Sequence, residues 1–262
     1  MKLQPVDHPV IGQLRPDKWG ESLMRFCEIP GLKIFTPEHG GETLAQLEPA
    51  DRKLVAGWSE VTEKLIKKCR NFEIFDSLRA LGVYEAGFSR TAAGTPSDEQ
   101  VAAWEYLQQH QAAFSATLAN ALLRYYQAAR AADEDWFDQN DCPAISSLDE
   151  LGSRAVFDSV SFTNQSCEGL AVLSLSWSVD WDVEHGLQMF AWKDQVIGIG
   201  VEDLMEMSDP VVAEYSIWNR SHMTDAERDA LDRVSAHLED REDEDFDGEY
   251  EDDEFDEDDD DE

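Results

Sequence analysis

Basic side chains are what this chain lacks most. Against 57 Asp and Glu it carries 21 Lys and Arg, a formal net charge of −36 over 262 residues. Binding a phosphate backbone or an anionic lipid surface needs a basic footprint, so no nucleic acid and no membrane are expected as partners. Cysteine is sparse as well. Cys27, Cys69, Cys142 and Cys167 lie far apart with no C-x-x-C or other short metal spacing, which reads as free buried thiols in a reducing cytoplasm. No apolar run is long enough to span a bilayer. The first twenty residues hold neither an apolar h-region nor a small-residue cleavage site, so a cytoplasmic protein is expected. There is no G-x-S-x-G elbow and no phosphate-binding glycine loop, and Gly198-Ile199-Gly200 is too short for a dinucleotide fingerprint. No catalytic residue and no cofactor is assigned.

A hydrophobic fraction of 42% with eight Trp supports a folded body. Between Glu239 and Glu262 stand nineteen Asp or Glu and a single Arg, Arg241. Half of the net charge therefore sits in the last 24 residues, where self-repulsion opposes collapse and predicts a disordered acidic tail. The expected organisation is an irregular lead-in over 1–18, a single domain over 19–238 and the tail over 239–262.

Within the domain, Leu173, Leu175, Trp177, Val179 and Trp181 alternate with Ser174, Ser176, Ser178, Asp180 and Asp182. That period of two predicts a strand with one buried and one polar, acidic face. Glu184-His185-Gly186 is the expected turn, and Leu187 to Trp192 the returning strand. Ala155 to Phe162 and Val196 to Gly200 extend this to a meander, with a second turn at Lys193-Asp194-Gln195. Phe26 to Phe35, broken at Pro30-Gly31, reads as an N-terminal strand pair. Between them the period is helical. Leu54, Trp58, Val61 and Leu65 form one stripe, and Phe72, Ile74, Phe75, Leu78 and Leu81 a second patch that ends at Gly82. A long helix opens at Ser97, where S-x-x-Q with Gln100 is a capping box, and runs to about Ala132 with a break near Ser115. Thr224 and Glu227 open a last helix to Leu238. Helices first and strands later, without βαβ alternation, predict an α+β fold: an antiparallel sheet packed with long helices.

Four polar residues at the predicted turn, Asp180, Asp182, Glu184 and His185, are a candidate divalent-metal or acid–base cluster, with Asp158 as helper. The competing reading is solvent-face decoration and turn hydrogen bonds. Trp136 and Phe137, set among acids in a linker over 133–143, are candidate partner-binding residues outside the core. Phe246, Tyr250 and Phe255, interleaved with the acids of the tail, are further candidates for docking on a basic partner.

The Glu99-Gln100 helix start, the Trp181-Asp182-Val183-Glu184-His185-Gly186 block and the strand ending at Gly200 together resemble an uncharacterised bacterial domain-of-unknown-function family, whose hairpin carries W-D-x-E-H-G. The resemblance covers roughly residues 19–204 in discontinuous blocks. It departs at residues 42–94, which are longer than the family pattern, and at the acidic tail. It carries no activity. Similar small acidic α+β domains recur among immunity proteins that neutralise bacterial toxins, which implies binding without catalysis.

The expected function is accordingly a cytoplasmic, non-enzymatic protein-binding module, of immunity type, for a basic protein. A metal-dependent hydrolase built on the Asp180–His185 hairpin is the alternative. An acidic-tail chaperone or nucleic-acid mimic is the second alternative. The sequence leaves the oligomeric state open.

Overall fold

The computed structural model describes residues 4–17, 21–29, 78–79, 82–152, 154–201 and 218–245, of which 240–245 by backbone alone. Eight strands form one sheet in chain order: β1 (Val6–His8), β2 (Gly12–Pro16), β3 (Ser22–Glu28), β4 (Val83–Ser89), β5 (Ala155–Cys167), β6 (Leu170–Val179), β7 (Asp182–Trp192) and β8 (Gln195–Gly200). Every neighbouring pair is antiparallel except β4–β5, which is parallel. Parallel neighbours need a crossover, and here it holds the helices α1 (Asp98–Ala132), α2 (Glu134–Gln139) and α3 (Leu148–Leu151). α4 (Asp225–Asp245) follows the sheet. The fold is α+β, as the absence of βαβ alternation predicts.

The C-terminal meander appears where the alternation places it. Two buried rows cross it: Phe88, Phe162, Leu173 and Ala191, then Ala86, Val160, Leu175, Met189 and Ile199. α1 lies across these rows. Near its start Trp104 tilts against Phe88 and Phe162, whose rings stack at 4.6 Å, and near its end Tyr126 meets Trp181 edge-on at 4.9 Å. The capping box at Ser97 and Gln100 is present, and the long helix runs to Ala132. Its irregularity lies at His110 (φ −117°, ψ 19°), where the sequence predicts a break near Ser115. There the ring stacks on Tyr106 at 4.1 Å and its Nδ1 meets the Tyr106 carbonyl at 2.9 Å.

Several expectations need correcting. The lead-in is not irregular, since β1 and β2 occupy it as a hairpin in which Gly12 takes a positive φ of 92°. β4 was not anticipated; its partner β5 lies some seventy positions away in the chain. Residues 133–143 hold α2. α4 runs on to Asp245, so the tail as predicted from residue 239 begins inside a helix. The polar face of β6 is only partly wet: Ser174 is buried beside Gln188, whose amide donates to its hydroxyl at 2.7 Å, and Ser178 is exposed. α4 packs against β5 and β8, with the Cys167 thiol 3.7 Å from the Arg233 carbonyl. Cys27, Cys142 and Cys167 are free and buried, as the spacing predicts. The helical stripe at 54–65, the patch from Phe72 to Phe75 with Leu81, the second half of the 26–35 strand pair, Cys69, and Phe246, Tyr250 and Phe255 lie outside the described residues. Among the described residues no helix is long and apolar enough to cross a membrane.

Glu85, half-buried on β4 opposite Phe26 and Ser159, sits on the β6-serine side of the sheet. Burial raises its carboxyl above the ordinary value, and nearby Arg79 offsets this only in part. A folded-state value above the unfolded one means the native protein holds the proton more tightly. Glu85 therefore contributes stability in acid that is lost as pH climbs past the ordinary glutamate value of about 4.3. Glu85→Gln is expected to be more resistant to urea than the parent at neutral pH and to match it in acid. Parallel denaturation curves at both pH values check this, and an unchanged neutral-pH midpoint would count against it.

Candidate functional site

The hairpin that carries the candidate cluster turns earlier than its glycine suggests. Val179 pairs with Asp182, so Asp180-Trp181 is a two-residue turn and Glu184-His185-Gly186 lies within β7. Two contacts hold the turn in place. The Asp180 N–H donates to the Arg154 carbonyl at 2.9 Å, and Trp181 is buried under Tyr126. The next paired residues are Trp177 and Leu187, so Ser178 alone on β6 faces Val183, Glu184, His185 and Gly186. The surplus chain bulges outward. Gly186 takes φ 68°, the left-handed region that glycine enters without strain, and Val183 stands 81% exposed at the crest.

The four polar residues separate. Asp180 Oδ2 accepts from Arg154 at 2.7 Å, and partial burial still leaves its carboxyl above its ordinary value against the pull of that guanidinium. Asp182 Oδ1 accepts from the His185 backbone N–H at 3.2 Å and lies 2.8 Å from His185 Nδ1. Glu184 is exposed. Asp158, the proposed helper, is bound by Arg79 at 2.6 Å and by the Ser178 hydroxyl at 2.6 Å. Among the described residues no three His, Cys, Asp or Glu side chains gather as a metal site would need.

What the hairpin does build is one wall of a cavity. At its C-terminus α1 closes with Asp133, whose N–H bonds the Ala129 carbonyl and whose Oδ1 accepts the Trp136 N–H at 3.1 Å. The same residue is the N-cap of α2, so the two helices meet at a sharp corner. Arg130 braces the corner, donating to the Cys142 carbonyl and to Asp138. α2 therefore lands its aromatics beside the β6–β7 turn. Phe137 is buried edge-on against Tyr126 at 5.4 Å, which corrects the expectation that it lies outside the core. Trp136 leans on Phe137 at 5.2 Å and stays 39% exposed.

Between this corner and the bulge lies a cavity of about 230 Å³, with Tyr125, Trp136, Phe137 and Trp181 as aromatic walls and Asp133 and Asp182 as its charged residues. Burial, together with the Asp182 charge, pushes the Tyr125 hydroxyl up to about 12, so it stays neutral at ordinary pH. Glu134, Asp135 and Glu184 are exposed nearby on the same two elements. The structure thus brings Trp136, Phe137 and Asp182 together from two separate candidate sets. It leaves Asp180 outside and adds Tyr125 and Asp133. The signal for Asp133 was in the sequence, as an aspartate capping an acid-rich first turn; Tyr125 looked like any other member of the α1 stripe.

A family model, Domain of unknown function (DUF6985), matches residues 58–207, a span that takes in α1, α2, the bulge and the cavity. No curated protein and no solved structure matches the chain.

Proposed function

The chain belongs to the DUF6985 family, and since that family carries no activity to transfer, we propose from the site itself that the protein is a non-enzymatic, cytoplasmic binding module for a basic protein partner. The observation that carries this reading is the aromatic-walled cavity with two carboxylates, in whose lining Trp136 is exposed. Trp and Tyr are the residues that most often anchor protein interfaces, and acidic surroundings select a basic counterpart. The immunity-type form, capture of a basic toxin, fits the same charge. The hydrolase alternative has no comparable observation behind it, because Arg154 takes up Asp180 and His185 takes up Asp182.

Affinity capture from lysate with the full chain and with a chain ending at Asp245 tests the reading. A basic partner held equally by both is expected, and its association should slow as salt is raised. A partner held only by the full chain would move binding to the acidic tail and sink the proposal for the folded body.

A further inference from the structure

Resting on that reading, we infer that the cavity between α2 and the β7 bulge is a receptor for a cationic side chain, above all arginine, presented by the basic partner. Three features select this ligand. First, the only charged residues among those lining the cavity are Asp133 and Asp182; no Lys, Arg or His of the described residues lines it. Second, both carboxylates are fixed through one oxygen, Asp133 Oδ1 by the Trp136 N–H and Asp182 Oδ1 by the His185 N–H and the His185 ring Nδ1, so their charge is preorganised rather than free to swing away. Third, four aromatic side chains share the remaining lining with Ala129, Gly186, Leu187 and Val201, and Trp136 and Trp181 come from separate segments.

Other occupants fail on charge or solvation. An apolar anchor would strip water from two carboxylates and give nothing back. An anion would meet repulsion on every side. A guanidinium answers the carboxylates with N–H donors and is attracted to ring faces, where its planar, weakly hydrated form suits it better than ammonium. Trp136, exposed in the lining, offers apolar ground for the methylene stem.

The test uses the full chain and three probes: a glycine-spaced peptide carrying three arginines, the same peptide with citrulline in their place, and choline. Binding is read by tryptophan fluorescence. The arginine peptide should bind, and the neutral citrulline peptide about tenfold or more weakly. Trp136→Ala and Asp182→Asn should each weaken the arginine peptide about tenfold, while Asp149→Asn, an exposed acid on α3 outside the cavity, should leave it unchanged. Melting curves on every variant, with Trp136→Phe as a milder change, separate lost binding from lost folding. The inference is overturned if Asp182→Asn and Asp149→Asn behave alike, since net charge alone would then explain binding. Equal binding of the citrulline peptide, tighter binding of choline, or no binding of any probe would overturn it too. A captured partner whose affinity Trp136→Ala and Asp182→Asn leave untouched would preserve the binding module and remove this cavity from it.

Discussion

Replacing Gln100 by alanine is expected to lower the melting temperature by roughly 6–12 °C, a loss of about 3 kcal/mol in a domain of this size. The side chain is fully buried, with 0% exposure. Its Oε1 accepts the Ser97 N–H at 2.8 Å, which completes the capping box. The amide nitrogen then reaches across to the Ser89 and Phe162 carbonyls at 2.9 Å and the Thr163 carbonyl at 3.1 Å. These carbonyls stand at the end of the β4–β5 ladder, whose last pair is Phe88 and Phe162. Gln100 continues the parallel ladder where backbone partners run out and ties the start of α1 to it. Alanine would strand these acceptors in a site that water does not reach, and buried unsatisfied groups cost more than the net value of the bonds they lose. Gln100→Glu should be worse at neutral pH, because a carboxylate would face three carbonyl oxygens. The pull of the helix N-terminus, about 0.3–1 kcal/mol, cannot offset that. In acid the same variant should partly recover, since a protonated carboxyl again donates. Calorimetry of the three proteins at two pH values decides the matter; an alanine variant that melts with the parent would make the network ornamental.

Gln100 also marks the limit of what the sequence discloses. Its capping bond spans three residues and is legible as S-x-x-Q, whereas its partners on β5 lie 62 and 63 residues away and leave no local trace. The hairpin behaves the same way. Alternation placed Leu173 through Trp181 on one buried face, and all five apolar residues are buried. Alternation cannot say where a strand ends, and Gly186 looked like the turn. The actual turn is set by the burial of Trp181 under Tyr126 and by the link from Asp180 to Arg154, both contacts between distant segments. Candidate residues fared according to the same rule. Trp136 and Asp182 were visible singly, as an aromatic among acids and an acid at a strand end. That they share one cavity depends on the corner at Asp133 and on the bulge, which no short window of sequence encodes.

The second large effect is expected at the contact between α1 and α4. Glu227 is 1% exposed, and Arg124 Nη2 donates to both of its carboxylate oxygens, at 2.5 and 2.7 Å. The carboxylate also accepts the Thr224 N–H at 2.7 Å, so it caps its own helix while it pairs with the next. Arg124 Nε donates to the His222 carbonyl at 3.2 Å, and its guanidinium lies over the Trp218 ring, 5.3 Å from the centroid. Removing the arginine alone leaves a buried charge without its counterion, a class of change that costs about 3–5 kcal/mol. Arg124 is partly exposed, with 31% of its side chain accessible, so the lower end applies: about 3 kcal/mol for Arg124→Met. Adding Glu227→Gln removes the charge but keeps an acceptor for the Thr224 N–H. The double variant should therefore recover more than half of the loss. Urea midpoints for the parent, both single variants and the double form a closed cycle. If the two single costs simply add, the pair is not coupled and α4 is held by its packing on β5 and β8 instead.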